Sequence, residues 1–191
     1  VLDDRTKNYL IKEDLFVPDL NENIKTTYDR NKWGYAEYKD DNVNDENLIT
    51  ELNKIKTDII VFAGYGGQLL RSGHFMRGTK YLHMHPGILP FERGSTTLYY
   101  SILNNRNLGV TAFYMTEKID EGENVLSKEY RAPSKGVNID VWVDNIIRSD
   151  CFGKALLAIF SKEKMTESLG ESDEYYVIHP VLKHIALLSL N

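Results

Sequence analysis

Residues 58–63, "DIIVFA", are a short run of β-branched and aromatic residues closed by "GYGG", the pattern of a strand covered on both faces. Ahead of it Leu48, Ile49, Leu52 and Ile55 recur at helical spacing. Asn44 stands where a cap belongs, and Asp45 and Glu46 fall in the first turn, where the helix dipole favours acids. A helix feeding a buried strand is the unit of a parallel α/β sheet.

The same beat continues. The spacing predicts a short helix over 69–75, a strand over 81–85 and a helix over 97–103. Strands follow at 108–115 and 125–130; only a loop separates them, so they pair antiparallel at one end of a mixed sheet. Residues 139–160 carry Val143, Ile146, Ile147, Leu156 and Ile159 at helical spacing, with Asp140 among the candidate caps. Residues 162–174 read as a solvated loop, 175–178 as a short strand, and Pro180 as the first residue of a terminal helix reaching Leu190. Residues 13–33 read as strand, turn and helix. One domain over 1–191 is expected, its core over about 44–160, followed by a C-terminal loop and helix over 162–191.

At 191 residues and net charge −5, with lysines and arginines scattered among acids, the chain has no electrostatic footprint for nucleic acid. Its single cysteine, Cys151, cannot close an internal disulfide, which fits a reducing compartment and points to the cytoplasm. No apolar run approaches the ~20 residues of a membrane span. The apolar residues Ile185, Leu187, Leu188 and Leu190 of the terminal helix are expected to dock on the sheet or on a second subunit, making a homodimer an option.

In "YLHMHPGILPFERG" (residues 81–94) a strand would turn Tyr81, His83 and His85 to one face and Leu82 and Met84 to the other. Two imidazoles then lie side by side where the strand stops. In open α/β sheets the working site lies beyond the carboxyl ends of the strands. Three segments would meet there: the glycines 64–67, the paired histidines with the loop to Gly94, and "TEKIDEG" (116–122) with Asp120. Taken singly, the glycines read as a tight turn and Asp120 as a turn residue. Two histidines and a carboxylate also have the ligand types of an iron centre. Elsewhere the plain reading is structural: His74, His179 and His184 at the surface or at helix ends, Trp33, Trp142, Tyr99 and Tyr100 in packing, and Cys151 in the core.

"HMHPGILPFERG" followed by "LGVTAFYMTEKIDEG" resembles the formyltransferase family that uses 10-formyltetrahydrofolate. The likeness covers about 58–130. It implies a Rossmann-like fold, mostly parallel with an antiparallel edge and flanking helices. The family fold opens with one more βα unit than this sequence shows, which implies a shortened amino terminus. The resemblance makes His85 the catalytic histidine and Asp120 the catalytic aspartate, with His83 where the family has asparagine. It places Tyr65, Gly66, Gly67, Gln68 and Leu69, together with Thr116, Glu117, Lys118 and Ile119, around the folate donor. It places Gly87, Arg93, Gly94, Ser95 and Thr96 beside the amine substrate; by its chemistry Arg93 is either a fork for an anion or one half of an exposed salt bridge, and 95–97 are a helix cap or a diphosphate cradle. It calls for no metal. "RGSTTLYYSIL" is similar to the sugar N-formyltransferases of pseudaminic and legionaminic acid type, implying a primary amine on an amino sugar, nucleotide-linked, in surface polysaccharide synthesis. Hydrolysis of the formyl-folate and a non-catalytic folate- or nucleotide-binding module are the other functions this scaffold implies.

The implied chemistry needs a neutral amine, a polarised formyl carbonyl and a base. Two neighbouring imidazoles should not both be charged. The expectation is that Asp120 holds His85 protonated and aimed at the developing oxyanion, while neutral His83 takes the amine's proton.

Overall fold

The computed structural model describes residues 1–64, 68–76, 78–162 and 174–191. Four strands form the central sheet in the order β1 (Ile59–Phe62), β2 (Lys80–His85), β4 (Asn107–Tyr114) and β5 (Asn124–Arg131). A separate two-residue parallel ladder joins β3 (Arg93–Gly94) to β6 (Glu174–Tyr175). The helices are α1 (Asp4–Lys12), α2 (Ile24–Asn31), α3 (Glu46–Leu52), α4 (Thr97–Asn105), α5 (Asp144–Phe160) and α6 (Pro180–Leu188).

The α/β class stands, with one change in strand direction. β1 and β2 are parallel, but β4 runs against both β2 and β5. Antiparallel pairing therefore reaches one strand further into the sheet than the expected edge. The cause is local. Arg106 closes α4 in a left-handed conformation (φ 55°), with its N–H on Ile102 O, and β4 starts at the next residue. The register pairs His85 with Thr111, so Asn107 begins beyond the end of β2 and the chain runs back alongside it.

The pleat fixes what each face does. Leu82, Met84, Val110 and Ala112 share the face that joins the core with Leu98, Ile102, Ile147 and Cys151. Leu82 and Ile147 are fully buried, and each contributes about 2 kcal/mol on removal from water. The opposite face carries His83 against Phe113 and His85 against Thr111, and it is covered by loops.

Several local expectations are corrected. Residues 58–63 were expected to be covered on both faces, yet β1 is an edge strand paired only with β2 among the described residues, and Val61 is 41% exposed. Asp45, not Asn44, caps α3, accepting from the N–H groups of Asn47 and Leu48. Asn44 instead reaches across to Leu69 O (2.8 Å) and Arg71 N (2.9 Å). Those bonds hold 69–71 extended, so the helix expected over 69–75 shrinks to one 3₁₀ turn at Ser72–His74. The strand expected after residue 13 is not formed; helix α1 precedes it, capped by Asp3 through Thr6. Asn138 rather than Asp140 caps the long helix, which opens with a π turn at Ile139–Val143. Asp140 accepts from Tyr99 Oη and Lys183 Nζ. The strand expected over 175–178 stops at Tyr175, and most of the loop expected over 162–174 lies outside the described residues.

His74 ends the 3₁₀ turn, one of its two expected places, but is buried there, bridging Tyr81 Oη (3.1 Å) and Val43 O (2.9 Å). Trp33 packs edge-on to Tyr28 but is 59% exposed. Pro180 opens α6 and His179 caps it, as its sequence position suggested. Of the residues expected to dock from that helix, Leu190 is buried, whereas Ile185 and Leu188 stay exposed. No helix among the described residues is long and apolar enough to cross a membrane.

Candidate active site

Asp120 sits in the loop between β4 and β5 with φ 48°, a left-handed conformation that aspartate tolerates better than most residues. That turn folds its carboxylate back over the end of β2. Its Oδ1 lies 3.3 Å from His85 Nδ1, and its Oδ2 accepts the Gly94 N–H at 2.7 Å. The expected His85–Asp120 couple is thus assembled from two segments 35 positions apart in sequence.

Both nitrogens of His85 face acceptors. Nε2 donates to the carbonyl oxygen of Glu92 at 2.5 Å, and Nδ1 faces the carboxylate. Neither nitrogen of the ring is therefore left open. Burial would raise the pKa of Asp120, but the hydrogen bond and charge of His85, with the Gly94 N–H, outweigh it and hold the carboxyl below its ordinary value. One part of the expectation is corrected: Nε2 does not point at open space for an oxyanion, because the Glu92 carbonyl occupies that direction. A substrate oxygen reaches Nε2 only when that carbonyl moves aside.

His83 behaves differently. Its Nδ1 is 2.9 Å from Phe62 O, and since a carbonyl only accepts, Nδ1 carries the proton and Nε2 is left bare in the neutral ring. Burial is the main influence lowering its pKa, and the charges of His85 and Arg148 act the same way against the Phe62 bond and Asp120. His83 is therefore held toward its neutral form, and among the described residues its Nε2 has no hydrogen-bond partner.

The loop that follows β2 is built around His85. A Cβ on Gly87 would lie 2.8 Å from Glu92 O and 3.0 Å from His85 Nε2, so only glycine admits that approach. Arg93, expected either to grip an anion or to form an exposed salt bridge, is in ion pairs within the chain, with its side chain largely covered. It donates to Ile119 O (2.7 Å) and pairs with Glu121 (3.1 Å) and Glu174 (3.2 Å). It thus clamps the residue before Asp120. Ser95 donates its N–H to Tyr175 O, and Thr96 Oγ1 donates to Ser95 O while accepting from Ile178 N. Thr96 makes no side-chain cap for α4, being left-handed itself (φ 54°). Thr97 donates its hydroxyl to Pro86 O. Gly87 and Gly94 touch the His–Asp couple, Arg93 braces the Asp120 loop, and Ser95 and Thr96 are tied to residues 175 and 178.

Gln68, Leu69 and Glu117 line a cavity of about 710 Å³ together with Asn44 and Arg71. Thr116 Oγ1 bonds Glu121 O and the Lys118 N–H, so it shapes its own loop. The Ile119 carbonyl, expected to face the donor, is instead taken by Arg93. Tyr65, Gly66 and Gly67 lie outside the described residues. Neither histidine nor Asp120 borders this cavity, although Glu117 shares a loop with Asp120. The iron-centre reading loses its geometry, since His83 Nδ1 and both nitrogens of His85 are bonded within the chain. Among the described residues no group of three His, Cys, Asp or Glu could hold a metal ion.

Sequence reasoning missed the Asp144–Arg148 pair (2.9 Å) at the start of α5. Burial raises the Asp144 pKa, and Arg148 contributes to keeping His83 neutral. Their i, i+4 spacing is the signal in the sequence for such a pair.

A mixed α/β sheet with a His–Asp couple at the end of its second strand defines the class of protein. Residues 17–135 match the formyl transferase family, and the chain belongs to it. Methionyl-tRNA formyltransferase of Halothermothrix orenii is 30% identical over 101 residues, 52% of this chain and 32% of that protein. The chain thus spans about a third of the length of this curated relative. A sugar N-formyltransferase from Shewanella has a similar fold, with TM-score 0.57, 20% identity, and coverage of 77% of this chain and 65% of that one. HypX from Aquifex aeolicus, solved with tetrahydrofolic acid, aligns at TM-score 0.55 and 20% identity over 70% of this chain and 24% of that one.

Proposed function

We propose that this chain transfers a formyl group from 10-formyltetrahydrofolate to a primary amine on a nucleotide-linked amino sugar. Family membership supports the reaction class and the donor. The fold of the Shewanella sugar N-formyltransferase favours the sugar acceptor, while the methionyl-tRNA formyltransferases share sequence in the same region. The observation that carries the reading is the bare Nε2 of neutral His83 beside the His85–Asp120 couple.

The folate would supply the electrophilic formyl carbon, and the cavity beside Gln68, Leu69 and Glu117 has room for its ring. The chain's own residues do the rest. His83 Nε2 accepts the proton that the attacking amine loses, directly or through a water. His85, charged and backed by Asp120, donates toward the carbonyl oxygen where negative charge develops once the Glu92 carbonyl gives way. The Arg93 clamp on Ile119 and the Gly94 N–H keep Asp120 in place.

The test is to mix the chain with 10-formyltetrahydrofolate, with and without nucleotide-linked amino sugars, and to follow the folate absorbance. Turnover that depends on the amine is expected. Turnover without an amine would make the chain a hydrolase, and none with any amine would leave it a binder.

A further inference from the structure

We infer that the chain has a second ligand site, for a small anion bearing a diphosphate, in a cavity of about 590 Å³ between α1, the α4–β4 turn and the end of β5. Arg5, Lys12, Arg106 and Arg131 line it, and Glu13 is the one acidic side chain of its lining. Among the described residues none of these four cations is in an ion pair. That is unexpected in a chain with 28 acids against 23 bases, where neighbouring charges would ordinarily find opposite partners.

The cations come from segments that the fold pins together. Arg5 and Lys12 stand seven residues apart on the α1 face that also carries Tyr9. Tyr9 donates its hydroxyl to Arg131 O at 2.7 Å, and Asn138 N donates to Thr6 Oγ1, which fixes α1 against the end of β5. Arg106 sits on the closed left-handed turn into β4, and its neighbour Asn107 pairs with Arg131. Asn107 lies four positions along β4 from Thr111, the partner of His85, about 13 Å at the rise of a strand. The cavity is therefore separate from the His–Asp couple, and the inference does not depend on the transfer reaction.

Four basic side chains against one acidic side chain match a diphosphate better than a single carboxylate. Three of the four are arginines, whose planar forks bind phosphate oxygens in pairs. Tyr9, the aromatic residue of the lining, is buried and bonded through its hydroxyl, so recognition rests on the phosphates rather than on a stacked base.

Calorimetric titration of the chain with inorganic pyrophosphate, alongside Arg5→Gln and Arg106→Gln variants, tests the site. Saturable single-site binding is expected, weakened about tenfold by either exposed substitution as a charge-assisted contact is lost, with the melting temperature of the unliganded variants unchanged. No saturation at millimolar pyrophosphate, or equal affinity in both variants and the parent, overturns the inference. Tighter binding of an RNA oligonucleotide than of pyrophosphate would also overturn it, making the patch a nucleic-acid contact.

Discussion

The Nδ1–H of His83 is held by the carbonyl oxygen of Phe62 at 2.9 Å, which makes Nε2 the unprotonated nitrogen of a half-buried neutral ring. Because its pKa lies below the ordinary 6.5, the ring is neutral throughout the neutral range and gains its proton only in acid. The rate of transfer should therefore fall along an acid limb whose midpoint lies below pH 6.5. His83→Asn should lower turnover by about 10²–10⁴ and remove that limb. A pH–rate profile of parent and variant checks both.

Asp120 is held below its ordinary 3.8, so it stabilises the fold above that value and loses the contribution as pH falls through its lower folded value. His83 acts in the adjoining window: below 6.5 the unfolded chain takes the proton more readily, and acid erodes stability there too. Asp120→Asn should flatten the acidic part of a stability curve measured by urea unfolding. The His83 window should remain.

Arg93 joins the Asp120 loop to Glu174 through a side chain only 11% exposed. Arg93→Lys keeps the charge but loses the fork on Ile119 O, and should cost about 2 kcal/mol of stability. Thermal unfolding measures that cost. The loosened loop should lower kcat more than it raises KM.

Gly87 has no room for a methyl group beside Glu92 O and His85 Nε2. Gly87→Ala should destabilise by about 1–3 kcal/mol through overpacking. It should also displace the Glu92 carbonyl from His85, visible as a shift of the His85 ring protons by NMR.

Much of this site was legible in the sequence because its signals are local. Alternation along β2 put both histidines on one face, and an aspartate in a loop after the next long strand could reach them. What escaped was carried by the backbone or by distant partners. No side-chain pattern announces that the Glu92 carbonyl covers His85 or that Thr96 turns left-handed. Asn44 looked like a cap because caps are asparagines, yet Leu69 and Arg71 compete for it from 25 and 27 positions away. The run at 58–63 is as apolar as a central strand, but only pairing decides whether both of its edges are covered.

The account stands on the His85–Asp120 couple as the centre of formyl transfer, and His85→Asn tests it most directly. Single-turnover mixing of this variant with 10-formyltetrahydrofolate and an accepted amine should show donor binding kept and amine-dependent formation of tetrahydrofolate reduced by about 10² or more. Product formed at the parent's rate would contradict it.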